Sequence, residues 1–281
     1  RHTPKEVAGK TLGTLQMGSV GGTLFGPVLG GLMADTFGFK YTFIITAVAI
    51  GIAAVIIIVG IHEPTIVRKT KNAIYASKNV IWAIFHHRLI INVMLVTTLI
   101  QIGNFSIQPL LSLYVSELTP SQEVALLAGI TFSAAGLGNI CFARFWGKLS
   151  DHYGYEKILS YLLIVAVIII IPQAFVTELW QLIGLRFLFG IVSGGLIPIT
   201  SALIRREAPI EVQGEIMGYN QSFRFLGNIL GPVLGGVVAS IGGIHSVFYS
   251  TSLLFLIAYI VMSFLKKLPE QNMKELLKNH A

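Results

Sequence analysis

Gly22-Thr-Leu-Phe-Gly26-Pro27-Val-Leu-Gly30-Gly31 and Gly227-Asn-Ile-Leu-Gly231-Pro232-Val-Leu-Gly235-Gly236 carry one pattern, G-x-x-x-G-P-x-x-G-G, twice in the same chain at an offset of 205 residues. The match extends upstream at the same offset, from Gly9-Lys-Thr-Leu-Gly13 onto Gly214-Glu-Ile-Met-Gly218 and from Arg1, Pro4, Glu6 and Val7 onto Arg206, Pro209, Glu211 and Val212. Self-similarity at one fixed, long period marks a repeated structural unit. Gly18, Gly22, Gly26 and Gly30 are four apart, as are Gly227, Gly231 and Gly235, so each set lies on one helix face. Such rows let helices approach closely in lipid, where van der Waals packing replaces the hydrophobic drive. Pro27 and Pro232 each remove a helix hydrogen bond and free the carbonyls of Thr23 and Asn228. Two readings follow, glycines that only pack and a segment that bends as part of its work.

Both copies sit in apolar stretches, and the rest of the chain repeats that texture. Apolar residues are 54% of the 281 and charged ones 12%, roughly half the charged share of a soluble domain. Stretches near Leu12–Met33, Tyr41–Ile61, Leu89–Val115, Val124–Ala143, Ile158–Val176, Gln181–Ile204, Glu215–Ala239 and Ser246–Leu265 each have the ~20 residues that cross a hydrocarbon core of about 30 Å. The net charge of +7 does not point to nucleic acid, because the basic residues alternate by loop. One set of connections holds Arg1, Lys5, Lys10, Arg68, Lys69, Lys71, Lys78, Arg88, Arg144, Lys148, Lys157, Arg205, Arg206, Lys266, Lys267, Lys274 and Lys278, and the opposite set holds only Lys40. The basic set is expected to be cytoplasmic, which places both termini of this chain inside the cell in a multi-pass protein of the cell membrane. The single cysteine, Cys141, forms no disulfide within the chain and reads as a packing residue.

Four stretches, Leu89–Val115, Val124–Ala143, Ile158–Val176 and Gln181–Ile204, lie between the basic connection at 62–88 and the second copy of the repeated loop, so equivalent halves would place four further spans before Arg1 in a parent protein. Both copies start on the same side, which makes the repeat parallel about an axis along the membrane normal. The expected organisation is residues 1–61 as the last two helices of an N-terminal half, 62–88 as a central cytoplasmic linker, 89–265 as a six-helix C-terminal half and 266–281 as a cytoplasmic tail. Within the linker, Ile74–Phe85 is amphipathic, and it reads either as a helix on the membrane surface or as a solvated connector.

Two more patterns accompany the glycine rows: Gly147-Lys-Leu-Ser-Asp151-His-Tyr-Gly154-Tyr-Glu-Lys157, and Leu185-Arg186-Phe-Leu-Phe-Gly190-Ile-Val-Ser-Gly194-Gly195. With Gly22–Gly31 they resemble the drug:proton antiporter-1 family of the major facilitator superfamily. In that family a decapeptide like Gly22, Gly26, Pro27, Gly30 and Gly31 marks the fifth helix of exporters, and Gly227, Gly231, Pro232, Gly235 and Gly236 look like its echo in the eleventh. The resemblance implies an all-α integral membrane protein of the major facilitator fold with eight of its twelve transmembrane helices present. It also implies a drug exporter working by proton antiport through alternating access. Gly147, Asp151, Gly154 and Lys157 look like the family's cytoplasmic gating loop, in which the carboxylate faces a helix N-terminus, here expected near Lys10 and Thr11. Glu156 departs from that loop, where many members are basic. The segment Gly31–Lys40 echoes the same pattern on the outer side and reads as a turn.

Arg186 and Arg224 fall inside spans, where a charge is expensive and needs a partner or a wet cavity. Arg186 reads as a structural tie between helices or as part of proton coupling. Gln101, Asn104, Phe105 and Gln108 share a face of one span, with Tyr114 further along, and Asn220 and Phe223 lie near Arg224 on another. As a set they are expected to line a cavity for bulky, partly cationic amphiphiles, although each serves equally as glue between helices. None of the thirteen acidic residues reaches a span centre, so a proton-coupling carboxylate is expected outside this chain. No cofactor and no metal are expected. The expected partners are a small drug-like molecule, protons and the lipid bilayer, with the protein a monomer. An uptake carrier for sugars or other nutrients is the competing transporter reading. No catalytic constellation is visible at plausible depth, which argues against an enzyme.

Overall fold

The computed structural model describes residues 8–60, 77–119, 123–265 and 273–278. These form α1 (Ala8–Gly60), α2 (Ser77–His86), α3 (Arg88–Ile107), α4 (Leu111–Leu118), α5 (Val124–Tyr153), α6 (Tyr155–Ile170), α7 (Leu179–Glu207), α8 (Gln213–Leu265) and α9 (Met273–Lys278), with no strand among the described residues. Short 3-10 turns at Gln108–Leu110 and Ile171–Phe175 carry Pro109 and Pro172 near their starts, where the missing N–H costs little. Six stretches among the described residues are long and apolar enough to cross a bilayer: Leu24–Gly60, Arg88–Leu118, Val124–Tyr153, Tyr155–Phe175, Leu179–Glu207 and Gln213–Phe264.

The first and last of these each break once, at Gly38 (φ 79°, ψ 161°) and at Gly243 (φ 76°, ψ 175°). Only glycine adopts that backbone without strain, and Gly243 stands 205 residues after Gly38, the offset of the repeated motif. Each long helix therefore serves as a pair of spans turned at one residue, and the eight spans legible in the sequence are all helical. The loop expected over Ser240–His245 shrinks to that single turn.

The core is built on the parts of α3, α6, α7 and α8 that face one another. Leu159, Leu162, Leu163, Ala166 and Ile170 of α6 are fully buried, together with Leu196 and Leu203 of α7 and Phe255, Ala258 and Met262 of α8. Buried hydroxyls are satisfied locally or across helices. The Thr97 Oγ1 donates to the Val93 carbonyl at 2.7 Å, and Ser106 Oγ and Thr251 Oγ1 share a 2.8 Å bond joining α3 to α8. By contrast residues 39–60 of α1 keep large apolar side chains outward, such as Phe43 at 73% and Ile58 at 77% exposure, as a lipid-facing segment does.

The amphipathic stretch expected in the linker is helical from Ser77 to His86 and neither lies free nor is merely solvated. Val80, Ala83 and Ile84 are buried against the bundle, where Met273 and Leu277 of α9 are buried too. The rest of the expected linker, residues 62–76, and the tail residues 266–272 and 279–281 lie outside the described residues.

The two copies of the glycine row meet different surroundings. A Cβ on Gly227 would stand 2.6 Å from the Gln101 Cβ, one on Gly231 would stand 2.7 Å from the Phe105 Cβ, and one on Gly235 would overlap the Ser106 carbonyl. A Cβ on Gly22, Gly26 or Gly30 would have nothing within 4 Å among the described residues. In that first copy the tight face is one step round the helix. Gly31 is pressed on Ala125 of α5, and the Pro27 carbonyl on Gly129.

Candidate functional site

A cavity of about 500 Å³ lies where α3, α5, α7 and α8 meet. From α3 come Gln101, Asn104 and Phe105, from the 3-10 turn that follows it Gln108, from α5 Phe132, Ala135, Gly136, Asn139 and Ile140, from α7 Arg186, Phe189, Ser193, Ile197 and Pro198, and from α8 Arg224. On each of the first three helices these positions recur at three- and four-residue steps, the signature of one continuous face. The volume falls in the range of pockets for drug-sized molecules, and the mixture of aromatic surface with a few amides is the usual character of such pockets.

The polar groups differ in how they are held. Gln101 Nε2 donates to Asn228 Oδ1 at 2.9 Å, and Arg224 Nη1 donates to Gln221 Oε1 at 3.0 Å. Arg186 is only 6% exposed, yet its Nε and Nη2 have no hydrogen-bond partner among the described residues, and neither do Asn104 Oδ1 and Arg224 Nε. No ion pair reaches Arg186 among the described residues. Among the described residues no carboxylate lines the cavity.

Three expected cavity residues are placed elsewhere. Tyr114 is 1% exposed, donates its hydroxyl to the Gln173 carbonyl at 2.7 Å and packs edge-on to His245. It lies thirteen residues past Gln101, a rotation of about 220° at 100° per residue, so it faces the back of the helix. Asn220 is buried with its Oδ1 unpartnered among the described residues, and Phe223 packs on the core. Neither lines the cavity. Phe132, Asn139 and Ser193 do line it and were not picked out beforehand. Asn139, an amide in the middle of an apolar stretch, carried the same signal as Asn104.

The expected gating loop is more helical than a tight two-glycine turn. Gly147, Lys148, Ser150 and Asp151 continue α5, and only Gly154 (φ 93°) turns the chain into α6. Asp151 Oδ1 accepts from the Tyr155 hydroxyl at 2.5 Å, while Lys157 is exposed. The side chains of Lys10 and Thr11, its expected counterpart, lie outside the described residues. Glu156 accepts from Arg206 Nη2 at 3.3 Å, which ties the start of α6 to the end of α7. At the opposite end of the bundle Asp35 does what a turn residue would not. Its Oδ2 accepts from the Leu126 N–H at 2.7 Å and its Oδ1 from the Ala125 N–H at 3.3 Å, so α1 caps the N-terminus of α5. Two turns further along α5, Ser133 Oγ donates to the Leu24 carbonyl at 2.7 Å.

The model of the Major Facilitator Superfamily matches residues 1–171 and 93–281. A relative from Bacillus subtilis (strain 168), named uncharacterized MFS-type transporter YuxJ, is 51% identical over 268 residues, which is 95% of this chain and 68% of the relative. Multidrug resistance protein MdtG of Dickeya zeae (strain Ech586) is 38% identical over 252 residues, 89% of this chain and 62% of the relative. MdtG of Serratia proteamaculans (strain 568) is 38% identical over 256 residues, with 91% and 62% covered. The chain thus spans about two thirds of the length of these curated relatives. Family match, relatives and an all-helical bundle of membrane-length apolar helices agree, and the chain belongs to the major facilitator superfamily of membrane transporters.

Proposed function

We propose that this protein serves the export of amphipathic, drug-like small molecules by alternating access, with the substrate held in the cavity between α3, α5, α7 and α8. The observation that carries the reading is that cavity: about 500 Å³, with aromatic and amide side chains on three helix faces and two arginines. The kinship to proteins named multidrug resistance protein supports the direction of transport. In this reading residues 1–61 and 89–265 belong to two halves that rock against each other. Asp35, Gly31 and Gly129 form the contact that closes one end, and the α5–α6 connection through Asp151 and Gly154 works at the other. The end rich in Lys and Arg is the cytoplasmic one. The glycine–proline segments around Pro27 and Pro232 supply the smooth, bendable surface for that motion.

Export is driven by protons in this proposal, and none of the described residues lining the cavity is a carboxylate. The test is efflux of a lipophilic fluorescent dye from energised cells expressing the protein, with and without a proton uncoupler. Uncoupler-sensitive efflux above vector control is the expected result, and uptake of dye or an unchanged dye level would overturn the proposal.

A further inference from the structure

Arg186 poses a problem that the cavity's amides do not solve. A guanidinium has five donors and no acceptor, and burying it without a partner is among the costliest arrangements in a membrane protein. Here it is 6% exposed, two of its nitrogens have no partner among the described residues, and it lines a cavity large enough for a guest. Arg224 lines the same cavity with its Nε also unpartnered among the described residues, and no Asp or Glu among them lines it. A cationic guest would add a third positive charge to a space of low dielectric. An anionic guest would meet fixed forks that match the oxygens of a carboxylate, sulfonate or phosphonate.

We infer that the cavity is selective for amphipathic anions: Arg186, assisted by Arg224, takes the acidic head group, and Phe105, Phe132 and Phe189 take the apolar body. This rests on reading the cavity as the substrate site, and it reverses the preference for cationic amphiphiles that aromatic faces alone suggest. Asn104 and Gln101 then orient neutral polar atoms of the guest and contribute little to charge selection. The same head-group chemistry is available from a free amphiphile and from an anionic lipid, and these two sources are separable.

The experiment uses the purified 281-residue chain in phosphatidylcholine nanodiscs, with empty discs subtracted. Calorimetry compares three probes of one shape: naphthalene-2-sulfonate, 2-naphthol and a naphthyl-trimethylammonium salt. The anion should bind on the order of tenfold or more tighter than either of the others, as expected for hydrogen bonds to a charged group. Arg186→Gln should erase that preference, Arg186→Lys should keep part of it, and Lys40→Gln, equal in charge loss but exposed and not part of the cavity lining, should leave it intact. In discs containing phosphatidylglycerol, undiminished sulfonate binding identifies the free amphiphile as the guest, and binding that falls as that lipid is added identifies the lipid head group. Naphthol and sulfonate competing for one site with equal affinity would overturn anion selectivity while leaving the cavity as a binding site. Tighter binding of the cation would do the same. Binding of none of the three would overturn both. The charge preference of the unmodified protein decides the matter even where an Arg186 variant fails to fold.

Discussion

Asp35 couples two helices through backbone groups alone, two N–H donors at the start of α5 pointing at one carboxylate. A negative charge at a helix N-terminus contributes roughly 0.3–1 kcal/mol at the surface and up to about 2 where partly buried. That is small for folding and decisive for a two-state equilibrium. Asp35→Asn is therefore expected to loosen the α1–α5 contact without unfolding the bundle. In a Cys141→Ser background, a cysteine at Ala128 should react with a water-soluble maleimide about fivefold faster in the Asn variant, the effect of ~1 kcal/mol. An unchanged rate would show that the carboxylate is not a latch. Nothing local to the sequence announced this role, because the partner groups are main-chain amides some ninety residues away. Tyr114 failed for a different reason. Its polarity was legible, but its angular position past the Pro109 turn was not weighed against the face set by Gln101 and Asn104.

For the helices, the identical decapeptides make the separating case. From sequence alone Gly26 and Gly231 are equivalent, and either would be expected to suffer equally from a larger side chain. In the structure Gly231 lies against the Phe105 Cβ and the Ile102 carbonyl, while Gly26 has open space. Gly231→Ala should therefore destabilise by about 1–3 kcal/mol, the usual cost of forced overpacking, read as a lower midpoint in thermal unfolding of the chain in detergent. Gly26→Ala should leave the midpoint unchanged or slightly higher, since alanine is the better helix former. Equal losses at both positions would mean that the exposed row is packed in solution. A smaller effect belongs to the ion pair between α6 and α7. Glu156→Gln removes the contact with Arg206, and because both side chains are partly exposed the expected loss is under about 1 kcal/mol, measured in the same way. The helices themselves were legible because a span needs ~20 apolar residues whatever its neighbours are. The breaks at Gly38 and Gly243 followed the repeat. Which face of each helix meets which neighbour was not legible, since that depends on contacts between segments far apart in the chain.

On the scale of the molecule, the family followed from the motifs, and the cavity followed in part. The α3 face was readable from Gln101, Asn104, Phe105 and Gln108. The α5 and α7 faces were not, because their lining is mostly Phe, Ala, Gly and Ile, which any packed helix carries. The claim on which all else depends is that the cavity holds the transported molecule. Photolabelling the purified protein with a diazirine-bearing amphiphile, followed by mass spectrometry of its peptides, tests it directly. Labelling should be concentrated at Phe105, Phe132, Ile140, Phe189 and Ile197 and suppressed by excess unlabelled compound. Labelling spread over lipid-facing residues such as Phe43, Ile58 and Ile241, and indifferent to competitor, would contradict it.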